Sequence, residues 1–175
     1  FEQYVGYGGQ VGMEVRKASP YDEGNIRVSS SEIRRLLQEG KVEMANALLT
    51  YPYQLRGRIV SGYKVGRTIG FPTANIEVDS PYKLLPKVGV YAVWVELLGK
   101  RYKGMLYIGK RPTLQNGDNL TIEVNILGFS GNAYNDEITV SFVYAVREDK
   151  TFESVEALRE QLERDRQTVD KLLVE

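Results

Sequence analysis

Val90-Tyr91-Ala92-Val93-Trp94-Val95-Glu96-Leu97-Leu98-Gly99-Lys100 is the stretch on which the fold turns. Val90 to Leu98 reads as an almost continuous apolar strand, and Leu98-Gly99-Lys100 as the turn of a hairpin returning through Tyr102, Gly104, Leu106 and Ile108. Toward the C-terminus, Leu120, Ile122, Val124 and Ile126 alternate with Thr121, Glu123, Asn125 and Leu127. Ile138, Val140, Phe142, Tyr144 and Val146 repeat that period of two. Toward the N-terminus, Leu55, Gly57 and Ile59 alternate with Gln54, Arg56 and Arg58. Strands of this kind, separated by Gly, Asn and Asp turns, predict an antiparallel barrel or sandwich, and a barrel removes the exposed edges that recruit other chains.

Helical patterns flank the strands. In Ser29-Ser30-Ser31-Glu32, Ser29 suits a helix cap and Glu32 a reciprocal bond to the cap's own N–H. Ile33, Leu36 and Leu37 form the apolar stripe of that helix, and Gly40 closes it. A second helix is expected from Lys41 to Leu49, with Val42, Ala45 and Leu49 on one side, stopped by Pro52. The residues before Ser29 are weakly patterned and suggest at most a strand from Val11 to Val15. A last amphipathic helix starts near Ser154, with a stripe of Val155, Leu158, Leu162, Val169 and Leu172.

The 175 residues include 42% hydrophobic and 26% charged side chains, the composition of a globular domain. Neither cysteine nor histidine occurs. Their absence excludes disulfides, thiolate and Ser-His-Asp nucleophiles, and zinc or iron held by sulfur or imidazole. Acid–base chemistry must run on a carboxylate, lysine or tyrosine, and a metal must be bound through oxygen, as Mg²⁺, Ca²⁺ or Mn²⁺ are. Lys+Arg and Asp+Glu number 23 each, which argues against a nucleic-acid or membrane partner. No run is long and apolar enough to span a bilayer. Phe1 opens the chain without a signal-peptide pattern, as a trimmed start would.

Three segments can carry chemistry. In Gly62-Tyr63-Lys64-Val65-Gly66-Arg67-Thr68-Ile69-Gly70-Phe71-Pro72-Thr73-Ala74-Asn75, glycines at four-residue spacing bracket two cations, so backbone N–H groups and positive charge can approach a polyphosphate. Thr73 and Asn75 point to one side of an extended chain and offer oxygen to a hard cation. The same residues also read as a glycine-rich hairpin loop ending in an Asn turn. Glu123 stands mid-strand beside Thr121 and Asn125, a general-base candidate if that face lines a barrel mouth and a solvated face otherwise. Ser29-Ser30-Ser31-Glu32-Ile33-Arg34 can bind phosphate at a helix N-terminus, and a plain cap accounts for it as well.

At these residues the chain resembles the bacterial bifunctional riboflavin kinase/FAD synthetase family. Gly66-Arg67-Thr68-Ile69-Gly70-Phe71-Pro72-Thr73-Ala74-Asn75 is similar to the kinase signature. Gly89-Val90-Tyr91, Ile108-Gly109-Lys110-Arg111-Pro112-Thr113, Ile122-Glu123-Val124 and Val146-Arg147-Glu148-Asp149-Lys150-Thr151-Phe152 follow in the family's order. The resemblance implies a six-stranded antiparallel barrel with a C-terminal helix over residues 51–175. It implies transfer of the ATP γ-phosphate to riboflavin, giving FMN and ADP, in a Mg²⁺-dependent cytoplasmic enzyme. Thr73 and Asn75 match its Mg²⁺ and nucleotide ligands, Glu123 its catalytic base, and Gly66, Arg67, Thr68, Gly70 and Pro72 the flap over the phosphates. Arg147 falls in a block whose loop adjoins the flavin.

Residues 1–50 resemble the tail of the family's FMN adenylyltransferase half, with Ser30, Ser31 and Arg34 in its second phosphate motif. The first motif, with its paired histidines, is absent, so this chain is not expected to make FAD. Two positions depart from the family pattern: Asn125 where a histidine is common, and Tyr107 where an asparagine is. Two other classes fit the sequence less well. One is a barrel binding single-stranded nucleic acid through 12 tyrosines and Arg56, Arg58, Arg101 and Lys103; the other is a docking domain without turnover.

Overall fold

The hairpin at Leu98-Gly99 is present, and its geometry explains its sequence. Both turn residues have positive φ, 51° and 72°, the two-residue turn whose twist matches its strands and in which glycine carries no steric cost. The computed structural model describes residues 1–17, 19, 22–23, 26–61, 69–110 and 120–174. In chain order these hold α1 (Glu2–Gln10), β1 (Asp22–Glu23), β2 (Ile26–Arg27), α2 (Ser30–Gln38), α3 (Val42–Leu49), β3 (Gln54–Val60), β4 (Ala74–Val78), β5 (Gly89–Leu97), β6 (Lys100–Lys110), β7 (Leu120–Ile126), β8 (Glu137–Glu148) and α4 (Val155–Leu172).

The last six strands close an antiparallel barrel in the order β3-β4-β7-β6-β5-β8. Inward side chains such as Leu55, Ile59, Val93, Leu106, Ile122, Val124 and Phe142 form its core. Leu36 and Leu37 of α2 and Val42, Ala45 and Leu48 of α3 join the same cluster, so this helical pair shares one core with the barrel. Asn46 of α3 fastens the junction: its amide donates to the Phe142 carbonyl (2.8 Å) and its oxygen accepts from the Tyr53 N–H (2.7 Å). A second cluster lies on the outer face, where Phe71, Val90, Ala92, Trp94 and Met105 pack against Val169 and Leu173 of the C-terminal segment.

Four local expectations are corrected. Val11 to Val15 is not a strand. The chain turns at Val11 and Gly12, and Val15 comes back over Gly8 of α1, where an added Cβ would collide with the valine methyl. Leu48 rather than Leu49 completes the buried stripe of α3. Ser29 does cap α2, accepting from the Glu32 N–H at 3.2 Å, but the Glu32 carboxylate turns to the Arg35 guanidinium at 2.6 and 3.0 Å. Val155 opens α4 on the solvent side, while Asp165 is buried against the barrel.

Candidate active site

Register decides which distant residues become neighbours. Asn75 of β4 pairs with Glu123 of β7, Glu123 with Tyr107 of β6, Tyr107 with Val90 of β5, and Val90 with Arg147 of β8. Direct partners in an antiparallel ladder project to the same face about 5 Å apart. The five therefore form one row around the outer wall, opposite the inward-facing Ile122 and Val124. Of the candidates named from sequence, Asn75, Glu123 and Arg147 share this row, and Thr73 reaches it from the segment entering β4.

Thr73 donates its hydroxyl hydrogen to Glu123 Oε2 at 3.1 Å, joining motifs fifty residues apart. Thr73 and Glu123 are half-buried, and Asn75 is 8% exposed. Hydroxyl, carboxamide and carboxylate make an all-oxygen set that suits a hard divalent cation. Among the described residues no group of three or more acidic side chains forms a cage by itself. The set therefore fits an ion held jointly by protein and substrate phosphates, the usual situation for Mg²⁺.

Two clefts meet one residue before Thr73. One, of about 900 Å³, lies between Gly70–Pro72, the end of β7 and the Glu156–Arg166 face of α4. The other, of about 750 Å³, is lined by Ile59, Thr73, Phe129, Ala133 and Tyr134 among others. Pro72 borders both. Two substrates occupying them would meet at Pro72, next to Thr73, which lines the second cleft and bonds Glu123.

The two departures from the family pattern have definite places here. Asn125, 6% exposed, donates its amide to the Pro72 carbonyl at 2.7 Å. Tyr107 stands beside Glu123 and donates its hydroxyl to Asp149 Oδ1 at 3.0 Å, an oxygen that also accepts from the Lys150 N–H. Burial pushes the Tyr107 phenol up to about 12, assisted by the bond to Asp149 and by the negative charges of Asp149 and Glu123. It therefore remains a protonated donor at neutral pH.

Arg147 is committed elsewhere than to open solvent. Its Nε donates to Asp165 Oδ2 at 2.8 Å, its Nη1 to the Glu148 carbonyl at 3.1 Å, and its guanidinium lies 5.7 Å from the Phe152 ring centre. Asp165, 2% exposed, also accepts from Gln161. Sequence reading missed Asp165, although the gap in the α4 stripe between Leu162 and Val169 marks its position. Ser30, Ser31 and Arg34 lie exposed on the first turns of α2, and no hydrogen bond or ion pair among the described residues joins them to Thr73 or Glu123. Gly66, Arg67, Thr68 and Arg111 to Thr113 lie outside the described residues.

Residues 49–173 match the flavokinase family, described as riboflavin kinase. The chain belongs to the riboflavin kinase family. It is 45% identical over 141 residues to the bifunctional riboflavin kinase/FMN adenylyltransferase of Listeria monocytogenes, covering 81% of this chain and 45% of that protein. Its Bacillus subtilis counterpart is 41% identical over 147 residues, 83% of this chain and 46% of that protein. The chain thus spans about half the length of the curated relatives it matches. Its fold is similar to the crystal structure of a macrolide-efflux protein from Streptococcus pneumoniae, 34% identical, with a TM-score of 0.83 over 91% of this chain and 52% of that one. Among the described residues no helix is long and apolar enough to cross a membrane.

Proposed function

We propose that this riboflavin kinase family member transfers the γ-phosphoryl group of ATP to the terminal ribityl hydroxyl of riboflavin, giving FMN and ADP. The observation that carries the mechanism is the Thr73–Glu123 hydrogen bond, which ties a carboxylate to an oxygen-ligand pair directly after Pro72, the residue that borders both clefts. Glu123 accepts the proton of the attacking hydroxyl as the new P–O bond forms and the bond to ADP breaks. Thr73 holds that carboxylate in one orientation, and Asn75, its neighbour across the ladder, aligns the phosphates. Thr73 and Asn75, together with those phosphates, would hold Mg²⁺, which would neutralise charge on the transferring group. Gly66 to Gly70, with Arg67 and Thr68, and Pro72 after them, cover the phosphates, and Arg147 steadies the loop beside the flavin. Phosphoryl transfer needs positioning and charge neutralisation more than covalent help, so a chain without histidine or cysteine loses nothing for this reaction.

Residues 51–175 form the kinase module, and residues 1–50 derive from the adenylyltransferase half of a longer bifunctional protein, with Ser30, Ser31 and Arg34 its phosphate motif. In support, the match to the Escherichia coli bifunctional enzyme covers 92% of this chain, well beyond residues 49–173. These 175 residues make FMN but not FAD, in the cytoplasm, with small molecules and no nucleic acid as partners. The cations that motivated a nucleic-acid reading are largely engaged: Arg58 with Glu137, Lys103 with Asp170, and Arg101 over the Trp94 ring at 3.9 Å.

Incubation with riboflavin, ATP and Mg²⁺, followed by chromatography of the flavins, tests the whole reading. FMN should accumulate, EDTA should stop it, and FAD should not form. Absence of FMN overturns the kinase assignment, and FAD overturns the reading of residues 1–50.

A further inference from the structure

The Pro72–Thr73 strip has to be placed accurately, because it separates the two clefts and carries the hydroxyl that meets Glu123. No strand pairing fixes it, since β4 begins only at Ala74. Two anchors hold it. The Phe71 side chain, 7% exposed, is sunk in the outer cluster beneath α4, and the Pro72 carbonyl accepts from Asn125 Nδ2 at 2.7 Å. A carbonyl only accepts, so the amide nitrogen is the atom that must face it. Asn125 is itself 6% exposed and follows Glu123 by two residues on the same face of β7. One strand therefore presents both the carboxylate and the donor that clamps the Thr73 backbone opposite that carboxylate.

We propose that Asn125 is a positioning residue for phosphoryl transfer. It acts through the Pro72 carbonyl, and what the position requires is a hydrogen-bond donor of this reach. The proposal rests on the reading of Glu123 and Thr73 as the transfer site. Misplacement by about an ångström at such a site costs up to about a hundredfold in rate. Because Phe71 remains as a second anchor, the loss expected from removing the donor is nearer tenfold. Substrate binding is spread over both clefts, so the loss should fall on kcat.

The test compares wild type, Asn125→Leu and Asn125→His. Leucine matches asparagine in size without a donor, whereas an imidazole N–H can serve the same carbonyl. Steady-state kinetics with riboflavin, ATP and Mg²⁺ should give a kcat about tenfold lower for Asn125→Leu, KM values within about threefold, and recovery of most of the loss in Asn125→His. Amide hydrogen exchange, which needs no turnover, should show faster exchange at residues 70–74 in Asn125→Leu alone, with β5 and β8 unchanged. An unchanged kcat in an active Leu variant overturns the proposal, as does failure of histidine to outperform leucine. If wild type makes no FMN, the kinase reading fails. Exchange then still decides the clamp: unchanged protection at residues 70–74 in Asn125→Leu overturns it.

Discussion

Glu123 on the outer wall of the barrel and Asp165 on α4, which packs against that wall, are both carboxylates, and the structure treats them oppositely. Glu123 is half-buried and accepts from the neutral hydroxyl of Thr73, which lines a cleft. Asp165 is 2% exposed and accepts from Arg147 and Gln161, which saturate it between β8 and α4. A buried carboxylate held by a guanidinium and an amide has no free face for a substrate, whereas one held by a single hydroxyl in a partly open site does. The first should matter for rate and the second for stability, and each substitution below tries to break that division.

The largest effect is expected at Glu123. Glu123→Gln keeps shape and removes the base, so kcat should fall about 10²–10⁴-fold with little change in melting temperature, read by FMN assay and thermal melting. A large loss of stability with proportionate loss of activity would make Glu123 structural. Next comes Asp165→Leu, which leaves Arg147 facing α4 without a counter-charge. Breaking such a pair costs about 3 kcal/mol, the lower end of the usual range because Arg147 still reaches some solvent. In a chain of this size that lowers the melting temperature by roughly 10 °C. Residual kcat per folded molecule should stay near wild type.

Thr73→Val sharpens the first half of the contrast by removing the hydroxyl while keeping the volume. A hydrogen bond of this kind contributes about 1 kcal/mol, so kcat should fall at least fivefold, and the Mg²⁺ concentration for half-maximal rate should rise if the oxygen is also a ligand. The smallest effect concerns Tyr107, which lies between the two ends of the row. Its phenol is raised in the folded protein to about 12 from an ordinary 10. Its contribution to stability is therefore complete below pH 10 and lost as pH rises from 10 toward 12. Tyr107→Phe should leave melting at pH 7 nearly unchanged and reduce the alkaline fall, seen by melting scans across that range.

Five of the six barrel strands were legible: β3, β6, β7 and β8 from a period of two, and β5 from a continuous apolar run, because both of its faces are buried. The short β4 (Ala74–Val78) was not, since it follows directly on the glycine-rich segment and carries no pattern of its own. Glu123 was legible as a polar residue facing away from Ile122 and Val124. The row Asn75–Glu123–Tyr107–Val90–Arg147 was not, because register is a property of paired strands and no single segment encodes it. Asp165 was hidden for a related reason: a buried charge reads as surface until its partner, eighteen residues earlier on another element, is known. α1 went unread because the residues before Ser29 are weakly patterned, and there Gly8 is what lets Val15 close over the helix.

The central claim is that phosphate passes from ATP to riboflavin with Glu123 as the base. A single-turnover rapid-quench experiment tests it most directly, mixing enzyme and Mg²⁺ with riboflavin and ATP labelled in its terminal phosphate, then following label into FMN. The account predicts prompt transfer in wild type and transfer slowed at least a hundredfold in Glu123→Gln, with flavin binding retained. Transfer in Glu123→Gln at the wild-type rate, or none from wild type, would contradict it.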